Sequence, residues 1–273
     1  MVWLLVACAL VAGGIEKRVG EAAQIRDASS HTRWSADFST GDFSQWSWWG
    51  QDDPTYGHIS VVDPATYGIP RPPLDGERRV GRMLVTKRDA KLGRVNAKLY
   101  KGWSRHGRPP ADVSGTYSAW YFLRRRYAVP LGTDANIFQF KEKHGGQSDP
   151  LWWVQLSTAS WAERMRGSRW LGKRPRRADQ PVAVLNHADN RWRRRSTFMP
   201  VPLGRWFQIR ADVRQGDRID FTIDGRRFDT ARQREYPISP FRADSQEWIF
   251  GIGNYTAAPN TVVYVGRASY VRR

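Results

Sequence analysis

Two stretches far apart in the chain carry the residue types needed to move a proton beside a bound anion: Asn136-Ile137-Phe138-Gln139-Phe140-Lys141 and Phe250-Gly251-Ile252-Gly253-Asn254-Tyr255. Both have the composition of β-strands. Strand alternation puts Ile249, Gly251, Gly253 and Tyr255 on one face, and Ile137, Gln139 and Lys141 on a face opposite Phe138 and Phe140. The glycines predict a bare patch of sheet beside a phenol, and the other strand offers an amide and an ammonium. A phenol transfers protons, while an amide and a cation neutralise a carboxylate, so the set suits a flat, polar, anionic polymer. His144, three residues beyond Lys141, is a second candidate for the same face. Each residue alone also has a plain structural explanation, since strand glycines mark bulges and a strand-end tyrosine packs its ring with the hydroxyl in water.

Composition narrows the partner. The 273 residues include 14 Trp, more than a core of this size needs, and indoles left on a surface stack on sugar rings or bases. A formal charge of +18, from 44 Lys plus Arg against 26 Asp plus Glu, concentrates polyanions at the surface. Val2 to Gly14 is an apolar run of leader length and too short to span a bilayer. Residues 1–23 therefore read as a signal peptide, 24–33 as an N-terminal linker and 34–273 as one domain, secreted to the cell exterior or periplasm. With Cys8 inside the leader, the mature chain has no thiol for a disulfide, a metal or nucleophilic attack. His31, His58, His106 and His187 show no metal-ligand spacing, so no catalytic metal and no cofactor are expected. The fold class admits a structural calcium, which the sequence does not locate.

Strand signals at 80–86, 93–100, 116–123, 136–143, 151–156, 207–213, 219–223, 248–255 and 261–265, with no long amphipathic helix, predict an all-β, two-sheet sandwich with a concave groove. Asp224-Gly225 supplies a hairpin turn. The Arg-rich segments 162–181 and 191–195 read as solvated loops flanking the groove.

The order of motifs resembles the heparin-lyase-I-like and glucuronan-lyase-like polysaccharide lyases. It is carried by Asp37-Phe38-Ser39-Thr40-Gly41-Asp42-Phe43, Tyr117-Ser118-Ala119-Trp120-Tyr121-Phe122, the Asn136 and Gly251 stretches, Gly204-Arg205-Trp206-Phe207 and Ile223-Asp224-Gly225. The resemblance implies a concanavalin-like β-jelly roll that cleaves a uronic-acid-containing anionic polysaccharide by β-elimination. Gln139-Phe140-Lys141 and Gly253-Asn254-Tyr255 match two of that group's three site motifs. In place of its Arg-x-Glu motif stands Gly93-Arg94-Val95-Asn96, with no Glu. On this resemblance Tyr255, Lys141 and Gln139 are the catalytic residues and Arg94, Asn96 and Asn254 lie with them; His144, Tyr117, Trp153 and Arg193 are further residues expected to contact substrate. The chain is expected to act as a monomer on an anionic polysaccharide, without a membrane span and without a nucleic-acid partner. The rival readings are a non-catalytic carbohydrate-binding module on the same scaffold and, on charge and aromatics, a nucleic-acid-binding protein. Glycoside hydrolysis lacks support, because Glu142 and Glu163 form no paired spacing.

If the Arg-rich segments touch the polymer, binding weakens steeply with added salt, and neutralising Arg193, Arg194 and Arg195 together flattens that dependence. An unchanged slope in a salt titration returns them to solvated surface.

Overall fold

The computed structural model describes residues 33–49, 58–91, 96–104, 106–129, 135–144, 147–164, 169–187, 197–232, 245–256 and 260–272. The leader (1–23), all of the linker except Arg33, Arg94 and the 191–195 cluster lie outside these residues. One sheet has the order β14 (Arg226–Arg232), β13 (Arg218–Ile223), β12 (Trp206–Arg214), β6 (Gly115–Phe122), β16 (Thr261–Arg272), β4 (Val80–Val85) and β3 (His58–Val62), with β1 (Arg33–Ala36) also on β16. The other has the order β2 (Trp48–Trp49), β5 (Asn96–Trp103), β15 (Ser245–Thr256), β7 (Ala135–His144), β8 (Gln147–Thr158), β10 (Pro181–His187), β11 (Thr197–Pro200) and β9 (Arg169–Trp170). Apart from β9 with β11, every pairing is antiparallel. The result is the expected two-sheet β-jelly roll.

Alternation drives the sandwich. Phe207, Ile209, Ala211 and Val213 of β12 and Ile219, Phe221 and Ile223 of β13 turn inward from the first sheet. They meet Phe138, Phe140, Trp152, Trp248, Phe250 and Ile252 from the second, all fully buried or nearly so. Burying a side chain of this kind contributes roughly 1.5–3 kcal/mol, which makes this aromatic layer the main source of cohesion. At the β13–β14 hairpin, Asp224 and Gly225 both take positive φ (49° and 72°), and the Gln208 backbone N–H donates to Asp224 Oδ1 at 2.9 Å.

The structure corrects three expectations. Tyr117 does not face the solvent: it is buried between the sheets, where its hydroxyl donates to the Val113 carbonyl at 2.9 Å and accepts from Trp248 Nε1 at 3.0 Å. A polymer cannot reach it, because β6 is a central strand whose inward face is as aromatic as its outward one. The 162–181 segment is not a plain solvated loop. The end of helix α2 (Ala159–Arg164; α1 is Lys87–Lys91) and strand β9 lie in it, and Ala159, Ala162, Val182, Val184 and Phe198 form a small second core packed by Trp161 and Trp170.

The third correction concerns Ile137. Opposite β8, Asn136 pairs with Gln155 and Phe138 with Val154, so Ile137 is an extra residue, a β-bulge. It turns into the core, fully buried, and its carbonyl accepts a hydrogen bond from Tyr121 of the opposite sheet at 2.8 Å. Tyr121→Phe leaves that buried carbonyl without its donor and should cost about 1–3 kcal/mol. A urea denaturation midpoint unchanged from wild type would show that the bulge holds without it.

Candidate functional site

The bulge decides which side chains emerge on the outer face of the second sheet. Two cross-strand rows result. Tyr100, Gly251, Gln139, Trp153 and Asn186 lie abreast on β5, β15, β7, β8 and β10, and Asn96, Tyr255, Asn136, Gln155 and Val184 form the second row. At ~4.8 Å between strands, each row crosses roughly 19 Å of sheet.

Amides knit the rows together. Asn136 Nδ2 donates to Gln139 Oε1 at 2.7 Å, and the Tyr100 hydroxyl lies 3.3 Å from Asn96 Oδ1. Gln155 Oε1 accepts from Trp153 Nε1 at 3.2 Å and from Asn186 Nδ2 at 3.1 Å, and Gln155 Nε2 donates to Ser157 at 3.1 Å. Such a network fixes rotamers, so the polar floor is set before any ligand arrives.

Between the rows lies Lys98, opposite Gly253. Its aliphatic stem crosses that glycine: a Cβ at Gly253 would stand 3.1 Å from Lys98 Cγ and collide with the Ala97 carbonyl oxygen. Gly253 also holds φ at +134°, a conformation that a side chain disfavours, so glycine is required here on two counts. The Lys98 amine ends 5.6 Å from the centroid of the Tyr255 ring. It is 0% exposed and has no hydrogen-bond partner among the described residues. Burial, and secondarily the charge of Lys141, push its pKa well below the usual lysine range.

The predicted bare patch is therefore filled. Tyr100 covers Gly251, where a Cβ would come within 2.8 Å of its ring and 3.0 Å of Gln139 Cγ, and Lys98 covers Gly253. Tyr255 is 46% exposed and forms the outward rim of this cluster. Gln139 sits beneath the surface at 3% exposure.

Lys141 shares the outer face, but its register partner is Ile249, six positions from Tyr255 and so roughly 20 Å along the strand. Its ammonium lies 5.2 Å from the Tyr100 ring centroid instead. The cation beside the phenol ring is thus Lys98, which the sequence reading passed over. Asn254 points to the other side, fully buried, with Nδ2 donating to the Thr261 carbonyl at 3.3 Å and to its hydroxyl at 3.1 Å, so it braces β15 to β16 and does not meet substrate. Asn96 and Trp153 stand on the outer face as described. His144 ends β7, with its side chain outside the described set, as are Arg94 and Arg193 altogether. Tyr100, Asn136, Gln155 and Asn186 were also missed, although the Asn96-x-Lys98-x-Tyr100 alternation was visible in the sequence. Among the described residues no group of three or more His, Cys, Asp or Glu is placed to hold a metal ion.

The fold and this face define an all-β jelly roll with a pre-formed polar and aromatic sheet surface. No protein-family model matches the sequence, and no curated protein does. Solved structures with similar architecture include an endo-β-1,4-glucuronan lyase from the fungus Trichoderma reesei (12% identity, TM-score 0.49, 88% of this chain and 95% of that one). A transglycosylase in complex with NAG follows at 12% identity and TM-score 0.45, over 88% and 84% of the two chains. An alginate lyase from Pseudomonas aeruginosa has 16% identity and TM-score 0.40, over 65% and 74%.

Unfolded, Lys98 binds a proton below about its ordinary pKa of 10.5; folded, it holds one only at much lower pH. Folding therefore releases a proton, and the stability penalty grows as pH falls below 10.5 until the buried amine itself is protonated. Lys98→Met keeps the stem and removes the amine, so it should raise the melting temperature at neutral pH, by an amount that shrinks as the pH approaches 10.5. Parallel pH profiles for variant and wild type would mean that the folded protein carries Lys98 charged.

Proposed function

We propose that the chain is a secreted polysaccharide lyase that cleaves a uronate-containing anionic polysaccharide by β-elimination. The observation that carries the reading is the convergence of a half-exposed phenol, Tyr255, with a polar floor of Asn96, Lys98, Asn136 and Gln139 on one outer sheet face.

Elimination removes the C5 proton of a uronate, forms a C4=C5 double bond and breaks the C4–O4 bond, and the departing O4 takes a proton. The adjacent carboxylate must be neutralised for C5 to become acidic, a task suited to amide donors and ammonium groups. Asn96 and Gln139 take that task in this reading, with Asn136 orienting Gln139 through its 2.7 Å hydrogen bond and Lys141 adding positive charge farther along the face. Tyr255 moves the proton: its oxygen takes it from C5 and returns it to O4, so the residue ends as it began. Trp153 and the Tyr255 ring supply flat surfaces for neighbouring sugars. The basic composition draws the polymer in, and a leader would deliver the chain to where such polymers occur.

Incubation with polyglucuronate, alginate and heparin-like glycan, followed by the ultraviolet absorbance of the unsaturated uronate, tests the reading. A rise on at least one polymer is expected. Tyr255→Phe should cut turnover by about a hundredfold or more while retaining binding. Binding without product on every polymer would make the protein a carbohydrate-binding module, and no binding to any of them would remove the polysaccharide reading.

A further inference from the structure

Two buried polar atoms on the outer face stand out. Lys98 Nζ and Asn136 Oδ1 both lack a hydrogen-bond partner among the described residues. They belong to adjacent parts of one surface, Asn136 abreast of Tyr255 and Lys98 under its ring. Orphaned buried groups cost free energy, and a folded protein that keeps them calls for a partner from outside the chain, such as a water, an ion or a ligand.

We propose that this face is a proton-coupled carboxylate site, in which Lys98 is an uncharged amine in the free protein and takes up one proton when a uronate carboxylate enters past the half-exposed Tyr255 ring that covers the amine and settles beside it, within reach of the Lys141 charge. The inference rests on the polysaccharide reading above and specifies how that site recognises charge.

Among the described residues, few titratable groups face Lys98. Tyr100 shares its strand, Tyr255 comes from β15 and Lys141 from β7; the neighbouring residues of β2, Trp48 and Trp49, do not titrate. Glu247 lies farther along the same face, abreast of Lys143, and so no carboxylate among the described residues faces Lys98. Two effects lower its affinity for a proton, desolvation first and then repulsion from Lys141. A carboxylate between the two lysines reverses both, since it accepts the N–H bonds that the buried ammonium needs and cancels the Lys141 charge. The free Asn136 oxygen then accepts from a ring hydroxyl. The pair selects a hydroxylated sugar acid over a simple carboxylate. In this scheme a neutral glycan offers nothing to hold the proton and stays weakly bound.

Calorimetric titration of an oligoglucuronate into the Tyr255→Phe protein, which keeps the ring and suppresses cleavage, tests the coupling. Measured at neutral pH in buffers of different ionisation enthalpy, the apparent enthalpy should report uptake of about one proton per site, absent in the Lys98→Met, Tyr255→Phe double variant. Affinity should also fall about tenfold per pH unit above neutrality, a measurement that needs no lysine variant to fold. Tight binding with no proton uptake and no such slope overturns the coupling and leaves the lyase reading standing. Uptake that persists without Lys98 assigns the proton to another group and also overturns it. Failure of the oligoglucuronate, alginate and heparin-like oligomers to bind at all removes both.

Discussion

A single hydrogen bond across the core, from the Tyr121 hydroxyl to the Ile137 carbonyl, anchors the feature on which the outer face depends. Bulged residues leave a backbone group outside the ladder, and here the opposite sheet supplies the donor. With Ile137 turned inward, β7 presents Asn136 and Gln139 outward and no side chain between them. On β15 the register with β7 shifts between Ile252 and Tyr255, where Gly253 adopts its positive φ. The opening left by these two irregularities is filled by the stem of Lys98. Regular strands would put Ile137 among the polar groups and leave the lysine no path across the sheet.

The arrangement is costly by design of its parts. An amine in a dry setting without an acceptor, an amide oxygen without a donor and a glycine with strained φ all oppose stability, and they are gathered within a few residues of one another. The aromatic layer beneath absorbs the cost: Phe138, Phe140, Trp248 and Phe250 stack and cross at centroid separations of 5.0 to 5.9 Å directly under the site. Rigid packing below and unsatisfied polarity above are complementary, since a soft core would let the strands relax and satisfy those groups internally.

Much of this was legible in the sequence where period-two alternation is clean. The inward sets of β12 and β13, the Asp224-Gly225 turn and the common face of Gln139 and Lys141 follow from spacing alone. The rest depended on register, which no single strand encodes. Alternation marked Lys98 and Tyr100 as sharing a face, but only pairing with Gly253 and Gly251 turns them into part of the site. Tyr117 misled because aromatics on both faces of a central strand erase the distinction between core and surface. Ile137 misled because a bulge shifts the alternation by one without any glycine or proline at the bulged residue. Around the start of the 162–181 segment, arginines hid the small apolar set, Ala159, Trp161 and Ala162, that packs α2 against β10.

The sheet that carries the site has β2 and β9, each two residues long, at its two ends, and β9 is held by parallel pairing to β11. Among the described residues, end strands this short expose few free backbone groups of their own on which a second copy could add a strand. For a protein that long chains of opposite charge would crowd together, that matters. On the proposed function, copies drawn together on one polymer would meet through short, interrupted edges, and local crowding need not become β-aggregation.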